Sequence, residues 1–260
     1  MSEVKIHPLA VVEPGAELDA GVEVGPFAVI GARVRIGART QIGAHAVVTG
    51  NTVIGEDNRI FSFASIGHIP QDLKYRGEES RVEIGNRNTI REFATVHLGT
   101  AVGGMVTRIG DDNLLMNYTH IAHDCQIGSR VIVANGTQLA GHVVVEDYAV
   151  LGALSGVHQF VRVGESAIVG AGSMVSQDVP PFCNATGNRA TLHGLNIVGL
   201  TRRGFSKELI QQLKRAYRIV FRSGLTVAEA AARVRAEFAG IPEVERFIRF
   251  VESSTRGVCR

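Results

Sequence analysis

Residues 22–48 read VEVGPFAVIGARVRIGARTQIGAHAVV, and within them Val24, Ile30, Ile36, Ile42 and Val48 fall six residues apart. The beat extends back to Ile6, Val12 and Leu18 and forward to Ile54, Ile60 and Ile66. It resumes at Ile84, Ile90, Val96 and Val102. After one added residue it runs from Ile109 through Leu115, Ile121, Ile127, Val133, Leu139, Val145, Leu151, Val157, Val163 and Val169 to Val175. All 27 positions are Val, Ile or Leu, and Gly follows 13 of them. The position two before the beat is often small, as at Ala28, Ala46 and Ala64. A period of six fits neither a helix at 3.6 nor a strand alternation at 2. It suits a short parallel strand followed by a corner, where Gly can take backbone angles closed to other residues. Three such strands close a triangular coil of 18 residues, so 27 beats make nine coils. Stacked at strand spacing, the prism is roughly 40 Å long, with Val and Ile filling its axis. Each unit buries its apolar residue only against its neighbours.

Composition narrows the class. The 260 residues carry a net charge of +2, too little for a dedicated nucleic-acid binder. Tryptophan is absent and aromatics are 6%, as expected when aliphatic residues build the core. The three cysteines, Cys125, Cys183 and Cys259, are odd in number and scattered, which points to a reducing compartment. The start, MSEVKIHPLA, lacks the apolar centre of a signal peptide, and no run approaches a membrane span of about 20 apolar residues. The expectation is a cytoplasmic protein with no transmembrane segment.

The beat breaks twice. HIPQDLKYRGEESR and TAVGGMVT read as loops projecting from corners, at about 68–82 and 99–108. Such loops often carry function. The beat ends at Val175, Pro180-Pro181 follow, and from about Gly194 the pattern turns helical. Ser206 caps a predicted helix to about Arg222, stopped by Gly224. Thr226 with Glu229 forms a capping-box signal for a second helix, ending near Gly240, and Pro242 opens a third. The expected division is a coil domain at 1–190 and a helical one at 191–260.

Histidines cluster in HIAHDC, AGHV and VHQF. Steps of 18 place His123, Gly141 and Gln159 in one ladder, with Asp124 and His142 beside it, all expected to face outward. Two chemistries fit. One is a metal site, which needs three or four converging ligands. The other is a neutral imidazole at His123 acting as general base, supported by Asp124, with the Gly141 N–H facing an oxyanion.

The period itself resembles the hexapeptide-repeat transferases, which implies a mainly β chain folded as a left-handed parallel β-helix and working as a homotrimer. The general rule for parallel crossovers is right-handed, so the hand comes from the resemblance. The strings QDLKY (71–75), NLLMNYTHIAHDC (113–125), LAGHV (139–143), VHQF (157–160), QDVPPF (177–182), GLNIVGLTRRGFS (194–206) and STRG (254–257) resemble, more narrowly, the UDP-N-acetylglucosamine 3-O-acyltransferases of lipid A synthesis. The likeness covers the whole chain and sets the metal reading aside: no metal and no cofactor are expected.

That resemblance implies transfer of a 3-hydroxyacyl chain from acyl carrier protein to UDP-N-acetylglucosamine. It implies His123 as base, Asp124 as its support and Gly141 as oxyanion donor, while Cys125 is a packing residue. Gln71, Asp72, Lys74, His120 and His142 would line the sugar and acyl site. His158 and Gln159 would contact the nucleotide sugar, and Asn196, Arg202 and Arg203 would hold the UDP portion. Ala171 would set the length of the acyl groove. Val198 departs from the acidic residue of some relatives, which puts ribose contact there in doubt. The basic residues Lys207, Lys214, Arg215, Arg218 and Arg222 are candidates for steering an acidic carrier protein. A scaffold without catalysis is disfavoured by the intact His123–Asp124 pair. A related N-acyltransferase carries an additional N-terminal domain, whereas the coils here begin at Ile6.

Overall fold

A computed structural model describes residues 3–260. Twenty-six short strands, from β1 (Lys5–Ile6) to β26 (Met174–Val175), are dealt in rotation onto three parallel sheets. Every third strand pairs with the next, as Lys5 with Glu23 and Ile6 with Val24. The result is a left-handed parallel β-helix of triangular section. Each strand turns its beat residue inward and the preceding residue outward. The small residues two before the beat also point in, and Ala28, Ala46 and Ala64 are buried with Ile30, Val48 and Ile66. From Val24 onward the beat residues of the strands form one continuous buried column. Burying each such side chain is worth about 1.5–3 kcal/mol, so the prism is stabilised along its whole length.

Two features of the beat differ from the sequence reading. Val102 is not part of the column: it is 81% exposed, in a single 3-10 turn at Ala101–Gly103. Ile84 pairs with Ile109, 25 residues on instead of 18, so the insertion is seven residues and not one. The chain leaves the coil after Leu98 because this segment has a different task, covering Asp124. The twenty-seventh core place is taken by Val179, fully buried and bridged to Val163, which completes the last coil.

The three edges of the prism carry different ladders, because turn residues 18 apart stack. The edge between the first and second sheets is aromatic: Phe27, His45, Phe63, Phe93 and Tyr118 stack with centroids 4.8–5.1 Å apart. The edge between the third and first is ionic, with Arg39 on Asp57 and Arg87 on Asp112. The edge between the second and third carries both loops. One joins β11 (Ser65–His68) to β12 (Arg81–Ile84), and the other joins β14 (Thr95–His97) to β15 (Val106–Ile109).

Beyond the coils, β27 (Cys183–Thr186) adds a last rung to the first sheet, and β28 (Thr191–Leu195) pairs antiparallel with it. The sequence boundary expected near residue 190 falls in the turn of this hairpin. The short helix α1 (Ile197–Arg202) falls where the pattern turns helical, although the sequence reading gave it no bounds of its own. The helices α2 (Lys207–Arg222), α3 (Val227–Glu237) and α4 (Pro242–Glu252) begin where expected. Ser206 Oγ accepts from the Leu209 amide, and Thr226 and Glu229 form the reciprocal capping box. No helix among the described residues is long and apolar enough to cross a membrane.

Candidate active site

The turn joining β17 (His120–Ile121) to β18 (Gln126–Ile127) lies on the loop edge and carries His123 and Asp124. Asp124 sits at φ +62°, in the left-handed region that Asp tolerates better than most residues. Asp124 faces out of the coil as expected, yet it is buried instead of solvated. The cause is the inserted loop. Thr100 closes over the carboxylate, its amide donating to Oδ1 at 2.9 Å and its hydroxyl to Oδ2 at 2.6 Å. From below, Thr107 Oγ1 accepts the Asp124 amide at 2.8 Å. Two glycines make this approach possible. A Cβ on Gly103 would lie 1.9 Å from Asp124 Cγ, and one on Gly99 would lie 2.8 Å from Oδ1.

His123 Nδ1 stands 2.8 Å from Asp124 Oδ2. The carboxylate can only accept, so Nδ1 carries the proton and Nε2 presents a lone pair. The imidazole sits against Gly141, where a Cβ would lie 2.4 Å from Cε1 and 2.6 Å from Nε2, so any larger residue would push the ring aside. The Gly141 amide donates to no group among the described residues, as at Gln159 one coil on. His142 meets His123 edge-on at 5.0 Å and stacks on Phe160 at 4.3 Å. Burial lowers the pKa of His142, with Asp124 opposing and His123 adding to the fall. His123, Asp124 and His142 bring ligand atoms within 4.8 Å of one another. Thr100 and His123 already occupy three of the carboxylate's acceptor sites, while His142 Nδ1 lies 3.8 Å from Oδ2, beyond hydrogen-bond reach.

His120 faces outward on the second sheet, in register with Thr95, Gln138, Gly156 and Met174. Its Nδ1 is 2.7 Å from Thr95 Oγ1, and burial, then His123, lowers its pKa. A groove of about 1060 Å³ runs down this face from His120 past His158. Gln71, Asp72 and Lys74 lie on the first loop of the same edge, where Asp72 Oδ1 caps the Lys74 amide at 2.9 Å. His158 and Gln159 are exposed one coil below Ala140 and Gly141. Cys125 is buried, donates to the Ala140 carbonyl, and has its thiol pushed up to about 12, which leaves it protonated and inert.

The remaining residues lie on other edges. Ala171 is exposed on the aromatic edge, its backbone pressed against Gly152. Asn196, Arg202 and Arg203 belong to the ionic edge. Asn196 is an N-cap, accepting from the Gly199 amide and donating to the Ser166 carbonyl at 2.9 Å. Arg203 pairs with Glu165 at 2.8 Å and lies 3.6 Å over the Tyr148 ring. Arg202 is exposed. One chain therefore does not bring these residues to His123. Thr95, Thr100 and Thr107 escaped the sequence reading, since an isolated threonine gives no signal and the seven-residue insertion hides that Gly99 lies over Asp124.

The bacterial transferase hexapeptide model, described as six repeats, matches residues 20–50 and 107–141, and a model described as UDP N-acetylglucosamine O-acyltransferase, domain 2, matches 178–259. The chain is 52% identical to the acyl-[acyl-carrier-protein]–UDP-N-acetylglucosamine O-acyltransferase of Burkholderia orbicola, over 98% of this chain and 99% of that one. The chain belongs to the UDP-N-acetylglucosamine O-acyltransferase family. It is an acyltransferase. Solved structures of the family superimpose closely. LpxA from Acinetobacter baumannii gives a TM-score of 0.96 at 44% identity, covering 98% of this chain and 99% of that one. The Francisella novicida UDP-N-acetylglucosamine acyltransferase gives 0.94 at 43%, covering 98% and 94%.

Proposed function

We propose that this chain moves a 3-hydroxyacyl group from acyl carrier protein to the 3-hydroxyl of UDP-N-acetylglucosamine, the first step of lipid A synthesis, with His123 as general base. The relatives are named for this donor and acceptor, which supports the reading. The observation that carries the mechanism is the 2.8 Å contact between His123 Nδ1 and the buried Asp124 carboxylate. Asp124 fixes the tautomer, so Nε2 is free to take the proton of the sugar hydroxyl. The alkoxide oxygen attacks the thioester carbonyl, and the Gly141 N–H donates to the oxyanion that forms. The C–S bond then breaks, and the imidazolium returns its proton to the leaving thiolate. The base is regenerated without a covalent enzyme intermediate, metal or cofactor.

The reading includes a homotrimer in the cytoplasm. Three unpaired, buried cysteines suit a reducing compartment. In a closed ring of three prisms, the ionic edge of one copy faces the loop edge of the next. His158 and Gln159 then contact the nucleotide sugar from one side, and Asn196, Arg202 and Arg203 reach the UDP portion from the other. Arg202 has the freest guanidinium for phosphate, since Arg203 is held by Glu165.

The test is a transfer assay with UDP-N-acetylglucosamine and 3-hydroxyacyl carrier protein. His123→Ala is expected to lower kcat by about 10²–10⁴. Activity retained in that variant would remove His123 from the base role.

A further inference from the structure

The C-terminal string STRG has no part in the chemistry above. After α4 the chain turns back and lies along the last coil. The Asp178 amide donates to the Gly257 carbonyl at 3.0 Å, and the Cys259 amide donates to the Asp178 carbonyl at 2.9 Å. The Asp178 side chain is buried and accepts from Ser254 Oγ at 2.8 Å and from the Arg162 amide at 2.8 Å. This stitching carries Arg256 into the second-sheet groove beside His158.

There Arg256 Nη2 lies 3.2 Å from His158 Nδ1 and donates to the Ser176 carbonyl at 3.3 Å. Its Nε is buried without a partner among the described residues, so the side chain is held by its end alone. His158 Nδ1 has a second neighbour, the Gln159 carbonyl at 3.1 Å. The two neighbours demand opposite states. A guanidinium only donates, so contact with Arg256 requires Nδ1 to be bare; contact with the carbonyl requires Nδ1–H. We propose that Arg256 is a positioning residue that holds His158 in the Nε2–H tautomer, presenting a donor to the nucleotide sugar.

This inference rests on the nucleotide-sugar role given to His158 above. The experiment measures KM for UDP-N-acetylglucosamine and kcat in the full-length enzyme. Arg256→Ala is expected to raise KM about tenfold, the scale of one charge-assisted hydrogen bond, with kcat held within about twofold. Arg256→Lys, which keeps a charged donor, recovers most of the loss. In a His158→Ala background, Arg256→Ala adds nothing. A full effect in that background means Arg256 acts on the ligand or on the tail, and overturns the proposal. So does an unchanged KM in Arg256→Ala when His158→Ala raises it. If His158→Ala itself leaves KM unaltered, it is the role of His158 that falls. Nitrogen-15 spectra give a non-kinetic check: His158 Nδ1 is expected unprotonated in the wild type, and an Nδ1–H signal there sinks the assignment.

Discussion

Thr100 and Asp124, 24 positions apart in sequence, form a sealed contact in which the threonine hydroxyl lies 2.6 Å from Asp124 Oδ2. That same oxygen receives His123 Nδ1 at 2.8 Å. The inserted loop thus sets the orientation of the imidazole through one shared carboxylate oxygen. A hydrogen bond to a charged acceptor contributes about 1.5–3 kcal/mol. Thr100→Val keeps the shape, the extended backbone and the amide donor, and removes only the hydroxyl. The expected outcome is a fall in kcat of about tenfold with KM nearly constant, since the lost bond orients the base instead of binding substrate. A variant with wild-type kcat would show that the loop merely shields the carboxylate.

Neighbouring glycines of that loop separate two physical roles. Gly104 has φ +88° with open space where a Cβ would go, so Gly104→Ala costs backbone strain alone, about 1 kcal/mol. Gly103 has no such freedom, for its Cβ would collide with Asp124 Cγ. Gly103→Ala must lift the loop or push the carboxylate aside, and displacement on that scale is expected to lower kcat about 10². The comparison needs kcat and thermal unfolding for both variants. Equal loss of activity in the two would place the defect in loop strain and not in the contact.

The prism was legible because its cause is periodic. Each strand must put an aliphatic side chain on the axis, and 23 of the 27 positions read from the beat are buried there, the exceptions being Val102 and the three of the open first coil, Ile6, Val12 and Leu18. The helix starts were legible for a local reason: Ser206, Thr226 and Pro242 act within one turn of themselves. The ladder of His123 over Gly141 followed from the same step of 18. What escaped was set by the insertions. Val102 kept the beat by coincidence while lying outside the coil, and Asp124 looked solvated because the segment that buries it is displaced from the register. Nor does the linear sequence say which edge a residue joins, so Asn196, Arg202 and Arg203 could be matched to a role without showing that they lie away from His123.

The last test concerns a histidine outside the reaction. His97 pairs in register with His68 and meets the His120 ring edge-on at 4.9 Å, buried and with Nδ1 lacking a partner among the described residues. Burial, reinforced by His120, His68 and His123, holds its pKa down to about 4, against 6.5 for a free imidazole. The folded protein keeps His97 neutral where the unfolded chain would already bind a proton. Stability from this group is therefore complete above pH 6.5 and is lost as pH falls from 6.5 toward about 4. Allowing for partial solvent screening, the loss between pH 7 and 5 amounts to about 1 kcal/mol. His120 and His142, also lowered by burial, slope in the same direction. Urea unfolding at pH 7 and pH 5 is expected to show a smaller drop for His97→Gln than for the wild type, by about that amount. Equal drops in the two proteins would mean that His97 takes up its proton in the folded state without cost, and that its unpartnered nitrogen is reached by water.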